Sequence, residues 1–216
     1  MNNLLIPTSY LPPIGYMALL SNTMNATVEV CETFQKQTHR NRCEILTSNG
    51  KMRLSVPVVR TNGNHTLTKD IGISYAERWN IQHIRAIESA YNNAPYFMYL
   101  WDDLKEILLM RHEKLIDLNQ EVINYLFSKL SITCQMQYSE EYGSGQQAAD
   151  DGKWLDMRGM FAHRSEAENN RCKPYYQVWN NRYEFHPNLS VIDMLFNIGP
   201  KESMEYLKVL ANTQDS

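Results

Sequence analysis

The chain has 216 residues, 43% apolar and 21% charged, the ordinary mix of a globular chain with one substantial core. Its 21 Lys and Arg against 24 Asp and Glu leave a net charge of -3, which argues against a broad cationic surface for nucleic acid. The longest apolar run, Tyr96 to Trp101, falls far short of the ~20 residues that cross a membrane. No Lys or Arg precedes the first apolar stretch, and Cys31, Cys43, Cys134 and Cys172 form no C-x-x-C pair. These features predict a cytoplasmic protein with reduced thiols, no membrane insertion and a single domain over 1–216.

In chain order, the first seventy residues read as strand-like. Leu4 to Ser9 is a short apolar run halted by Pro12-Pro13, and Thr27 to Cys31 is β-branched. Asn49-Gly50 is the dipeptide that type I′ turns favour, because both central residues need a positive φ. Cys43, Ile45 and Thr47 alternate before it, and Met52, Leu54, Val56 and Val58 after it, which predicts an antiparallel hairpin over 43–58. Ser74-Tyr75-Ala76-Glu77 has the capping-box spacing, and Trp79, His83, Ala86 and Ala90 recur at helical steps beyond it. Further helices are expected from Tyr96 to Leu109 and from Ile116 to Leu130, then a strand over Thr133 to Tyr138.

From 139 to 173 the chain is long, polar and rich in Gly and Asp, yet it carries Trp154, Leu155, Met157, Met160 and Phe161. It reads as a mobile flap delivering Asp156 and Arg158, or as a fixed excursion packed on the core. Asn188 is expected to cap a helix to Asn197, Gly199-Pro200 to stop it, and Ser203 to Leu210 to form a last helix. The sum is an α/β or α+β fold: a mixed sheet with the hairpin, packed by helices from 74–130 and 188–210.

The sequence lacks the P-loop, the G-x-S-x-G elbow, H-E-x-x-H and paired zinc cysteines, so it names no metal and no cofactor. Gly143 to Ala148 fits G-x-G-x-x-A, but no apolar strand leads into it, and a flexible loop is the better account. The unusual segment is Glu29 to Arg42. There Lys36, Arg40 and Arg42, with Asn41 between the arginines, can hold a phosphate or carboxylate, and Glu29 or Glu32 can act as general base. A solvated connector with self-paired charges is the competing account.

His83 is a further candidate base, or a core histidine bonded to a carbonyl. Trp79 and Tyr91 can stack on a sugar or base, or pack the core. Asp193 and Asn197, one helical turn apart, can orient substrate hydroxyls together with Gln177. The enzyme reading requires the Glu29–Arg42 segment and the Asp193–Asn197 face to line one pocket.

Several stretches resemble the WbqC-like protein family: Tyr10-Leu11-Pro12-Pro13-Ile14-Gly15-Tyr16, Arg40-Asn41-Arg42, Asn49-Gly50 and Leu54 to Val58. The resemblance continues through the helix from Trp79 that runs into Ala90 to Phe97, through Tyr176-Gln177-Val178, and closes with Asn188 to Pro200. It implies a bacterial protein linked to O-antigen and related surface polysaccharide gene clusters, with aminoacyl or glycine transfer as one suggested role. Two functions follow as expectations. One is a transferase acting on an anionic small molecule, a nucleotide-sugar or acyl donor. The other is a non-catalytic binding or assembly protein of the same machinery.

Overall fold

A computed structural model describes residues 3–142, 154–159 and 172–212. At its centre lies β1 (Asn3–Pro7), whose Leu4, Leu5 and Ile6 are almost wholly removed from solvent. That unbroken apolar run is what a strand covered on both faces of a parallel sheet requires. β1 leads through α1 (Ile14–Ser21) to β2 (Asn25–Glu29), which pairs with it in parallel, Pro7 opposite Glu29. α1 was not anticipated, because Pro12-Pro13 reads as a stop. In the fold Pro13 sits at the helix N-cap, just outside the first turn, where a missing N–H costs nothing. Seven of its eight residues are buried, and it packs on the C-terminal helix.

The chain then leaves the sheet. β3 (Arg42–Thr47) and β4 (Gly50–Ser55) form the expected hairpin, Thr47 facing Gly50 across a Ser48-Asn49 turn. Only Gly50 in that turn has positive φ (94°), so the predicted type I′ geometry gives way to a turn closed by a glycine in the G1-bulge position. Met52 is exposed, whereas Leu54 and Val56 are buried. A small antiparallel pair, β5 (Val58–Val59) and β6 (Gly72–Ile73), follows.

Three helices come next: α2 (Trp79–Tyr91), α3 (Phe97–Leu109) and α4 (Leu115–Leu130). α2 begins five residues beyond Ser74. The Ser74 amide is bonded to the Pro57 carbonyl and its Oγ accepts from the Ala76 amide, so the capping-box residues are held in the approach loop.

β7 (Gln135–Tyr138) returns to the sheet beside β2, and β8 (Trp154–Asp156) adds on the free side of β1. The order β7-β2-β1-β8 is parallel throughout, while the antiparallel strand pairs β3–β4 and β5–β6 stand apart from that sheet. Part of the segment read as a flap or a fixed excursion is therefore a sheet strand, in line with the fixed excursion: Trp154, Leu155 and Asp156 pair with Asn3, Leu4 and Leu5, and Met157 is buried. The rest of that segment, including the glycine-rich stretch and Met160-Phe161, lies outside the described residues.

α5 (Val191–Asn212) is the two expected C-terminal helices run together, with the expected break between them at the non-helical Gly199 (φ 80°, ψ 172°) before Pro200. A side chain at Gly199 would meet the Tyr96 ring at 2.6 Å, so both the backbone and the packing demand glycine there. Asn188 does not cap the helix. It adopts a left-handed conformation and its Oδ1 accepts the Gly15 amide at 2.9 Å. With Val191 N bonded to Pro12 O and Ile14 N to Leu189 O, two distant motifs of the sequence turn out to be one joint. No helix among the described residues is long and apolar enough to cross a membrane.

Candidate functional site

Parallel pairing places the carboxyl ends of all four strands on one edge, and the residues after those ends gather there. β1 and its neighbours create a switch point: the chain moves from β1 to β2 on one side and returns as β8 on the other. In open α/β sheets, ligands bind in the crevice beyond the strand ends at such a point. The residues delivered are Thr8 after β1; Glu29, Cys31 and Glu32 at the end of β2; Ser139 after β7; and Asp156 and Arg158 from β8.

Glu29 is completely buried. Its Oε1 accepts from the Cys31 amide at 2.9 Å and from Ser139 Oγ at 2.6 Å, and Ser139 Oγ in turn accepts from the Val30 amide. Oε2 has no hydrogen bond, and Arg158 Nη1 stands 3.7 Å from it. Arg158 is clasped by Asp156 through Nε at 3.0 Å and Nη2 at 2.7 Å. Burial alone would raise the Asp156 carboxyl, but those bonds and the guanidinium charge outweigh it and hold the carboxyl below its usual range.

Glu32 takes the Arg40 guanidinium, Nε at 2.8 Å and Nη2 closer still on the same oxygen. Burial raises the Glu32 carboxyl and the Glu29 charge adds to this, while Arg40 and Arg158 oppose it. Arg40 is fully buried, and its Nη1 also meets Thr38 Oγ1 at 3.2 Å. Asn119 of α4 ties the floor together, its Nδ2 donating to Thr8 Oγ1 and to the Arg40 carbonyl, both at 2.9 Å. On the other flank, residues 30–34 pair with 66–69, with Thr68 N on Glu32 O and Lys69 N on Val30 O. That pairing sets Lys69 Nζ 3.4 Å from Cys31 Sγ.

The remaining predicted residues lie elsewhere. Lys36 is exposed on a turn. Asn41 is buried, its Nδ2 bonded to the Val56 carbonyl. Arg42 belongs to the hairpin beside Arg53, so it and Arg40 form no common clamp. Burial first, and Arg53 second, depress its guanidinium. His83 receives or gives a hydrogen bond at Tyr10 Oη (2.9 Å) and packs against Trp79. Burial lowers its pKa to about 4, partly offset by a backbone bond at Ser55, so it is neutral at physiological pH. That is the geometry of a core histidine.

Trp79 and Tyr91 are buried ring-packing residues. Tyr91 Oη donates to Asp193 Oδ1 at 2.9 Å, and Asp193 Oδ2 accepts from Tyr175 Oη at 2.5 Å and from Gln177 Nε2 at 2.9 Å. Asn197 Nδ2 bonds the Asp193 carbonyl. None of these partners belongs to Glu29–Arg42, so the two groups of residues that the enzyme reading joined into one pocket are separate knots of side chains. A cavity of about 270 Å³ opens at the amino-terminal edge of the sheet, lined by Asn3, Asn25, Gln135, Gln137 and Trp154 among others. Among the described residues it is lined by no ionisable side chain, and the charged side chains gather at the opposite edge.

Sequence reasoning missed Thr8, Lys69, Asn119 and Ser139. Each is an ordinary polar residue whose partner lies at least 38 positions away or on another strand, and no local spacing marks it.

Residues 8–165 match the WbqC-like protein family. The chain belongs to that family. It is also similar to the uncharacterised protein Rv1507c of Mycobacterium tuberculosis, 27% identical over 229 residues that cover 94% of this chain and 96% of that one. No solved structure matches it. The family match ends at residue 165, so it takes in the whole carboxyl edge of the sheet and leaves out the Asp193 knot.

Proposed function

We propose that this WbqC-like chain is a group-transfer enzyme acting on a nucleotide-activated sugar or a related precursor of surface polysaccharide, at the carboxyl edge of its parallel sheet. The observation that carries this reading is Glu29: a buried carboxylate with one oxygen fixed by two donors and the other left without a hydrogen bond. A carboxylate held this way is oriented and only half satisfied, which suits a general base toward a substrate hydroxyl or amine. Arg158 and Lys69 are the cations an anionic donor meets at this edge, since Arg40 is spent on Glu32. The substrate class follows from the family resemblance, and aminoacyl transfer onto the sugar is its narrower form.

A panel of nucleotide-sugars in a thermal-shift assay tests the reading. A true ligand at a hundred times its Kd adds about 2.7 kcal/mol and raises Tm, and Arg158→Ala removes that rise. Silence across the panel overturns the substrate class. With a ligand in hand, Glu29→Gln is expected to lower turnover by about 10²- to 10⁴-fold while binding persists. Binding without turnover in the wild type would favour the non-catalytic alternative. Two observations already lean that way: the Glu29–Arg42 segment and the Asp193 knot are separate rather than the one pocket asked of an enzyme, and the complete burial of Arg40 turns a supposed anion clamp into structure.

A further inference from the structure

Cys31 looks at first like one more buried cysteine, no more exposed than Cys134 or Cys172. Its surroundings set it apart. It follows Glu29 by two residues at the end of β2, its amide holds the Glu29 carboxylate, and its Sγ lies 3.4 Å from Lys69 Nζ. Lys69 makes no ion pair among the described residues, so its charge faces the sulfur. A cation at that distance is placed to face the negative charge that develops on the sulfur as it attacks or leaves. A second feature lies at the same strand end: Glu29, fully buried, leaves Oε2 without a hydrogen bond, with Arg158 Nη1 3.7 Å away. Buried oxygens without donors are rare unless something polar comes to meet them.

We propose that Cys31 is a covalent relay for an activated acyl group, with Lys69 at its sulfur and the Glu29 carboxylate held by its amide. It rests on the group-transfer reading above, but the thiol can be tested by itself. In the first half-reaction the thiol proton passes to Glu29, and Sγ attacks the acyl carbonyl carbon. The carbon–sulfur bond forms as the bond to the leaving oxygen or sulfur breaks. The leaving group departs with the electron pair and takes the proton from Glu29, and Lys69 faces the negative charge that develops. In the second, an acceptor amine or hydroxyl attacks the thioester, its proton goes to Glu29, and the thiolate leaves. No electrons change hands, and the only co-reactants are an acyl donor and a nucleophilic acceptor. A redox role fits less well, because all four cysteines are free, and the Cys31 thiol donates to the Ser139 and Glu140 carbonyls and accepts from Lys69.

The experiment uses the full chain and p-nitrophenyl acetate as the acyl donor, with nitrophenolate release followed by absorbance and the acetylated residue located by peptide mass spectrometry. One equivalent of acetyl is expected on Cys31, and none on Cys43, Cys134 or Cys172. Lys69→Met should slow acetylation about tenfold, while Lys69→Arg, which keeps the cation, should restore most of the rate. Cys31→Ser should abolish the rapid phase. Acetyl spread evenly over the four cysteines, its absence from Cys31, or equal rates in Lys69→Met and wild type would overturn the proposal. If acetyl appears on Cys31 while every nucleotide-sugar stays silent, the thiol relay stands and the sugar substrate falls. The reverse result removes the relay alone.

Discussion

Two buried carboxylates, Glu29 and Asp193, are equally cut off from solvent, yet they are served very differently. Asp193 has both oxygens engaged, by Tyr91 on one side and by Tyr175 and Gln177 on the other, and its carbonyl holds Asn197. It joins α5 to α2 and to the loop at 175–177, and through Tyr91, whose Oη accepts the Leu46 amide, to β3. Glu29 sits at a strand end with one oxygen fixed and one unbonded. Burial alone therefore does not separate a structural carboxylate from a chemical one. The difference lies in how the two carboxylates are met: both Asp193 oxygens accept hydrogen bonds, whereas Glu29 Oε2 accepts none and has the Arg158 guanidinium at 3.7 Å.

The sharpest way to break this contrast is Asp193→Ala. It strands two tyrosine hydroxyls and one amide in the core and should cost about 3–5 kcal/mol of unfolding free energy in urea denaturation. A loss below about 1 kcal/mol would remove Asp193 from the structural class.

Next comes the acid response. The folded pKa of His83 is about 4 against 6.5 in the unfolded chain, so the unfolded state binds more protons between those values. Stability should fall by about 3 kcal/mol as pH drops from 6.5 to 4, and His83→Gln should remove that slope. Asp193 acts with the opposite sign. Burial raises its carboxyl above 3.8 despite its three donors, so the native state holds that proton more tightly, and stability declines as pH climbs from 3.8 toward the folded pKa.

Glu29→Gln should be far milder than Asp193→Ala, at most about 1 kcal/mol, because the amide oxygen still accepts from Cys31 and Ser139. A loss as large as that of Asp193→Ala would place Glu29 in the structural class. The smallest effect is expected at the exposed Lys129–Asp103 pair, where Lys129→Met should change stability by about 0.5 kcal/mol or less. That variant sets the baseline against which both carboxylates are read.

What the sequence by itself determined is the part governed by short-range physics. Period-2 alternation located the hairpin, period-3.6 stripes located α2, α3 and α4, and the Gly199-Pro200 pair marked the break in α5. It also pointed at Glu29 and Glu32, because a dense charged stretch directly after a β-branched strand stands out locally. Only the tertiary structure decided what each of those charges does. Arg40 looked like a ligand clamp and became the partner of Glu32, and Arg42, two residues on, was carried away on the hairpin. Asp193 looked able to orient a substrate and became a core anchor, while Trp154 to Asp156, which read as either a flap or a fixed excursion, became a strand. The setting of Cys31 was illegible, since Lys69 and Ser139 reach it from 38 and 108 positions away. The physical reason is common to all of these. Local periodicity reports which face of an element avoids water, whereas a polar side chain's role depends on the donors and charges that meet it after parallel strands from distant parts of the chain have been brought into register.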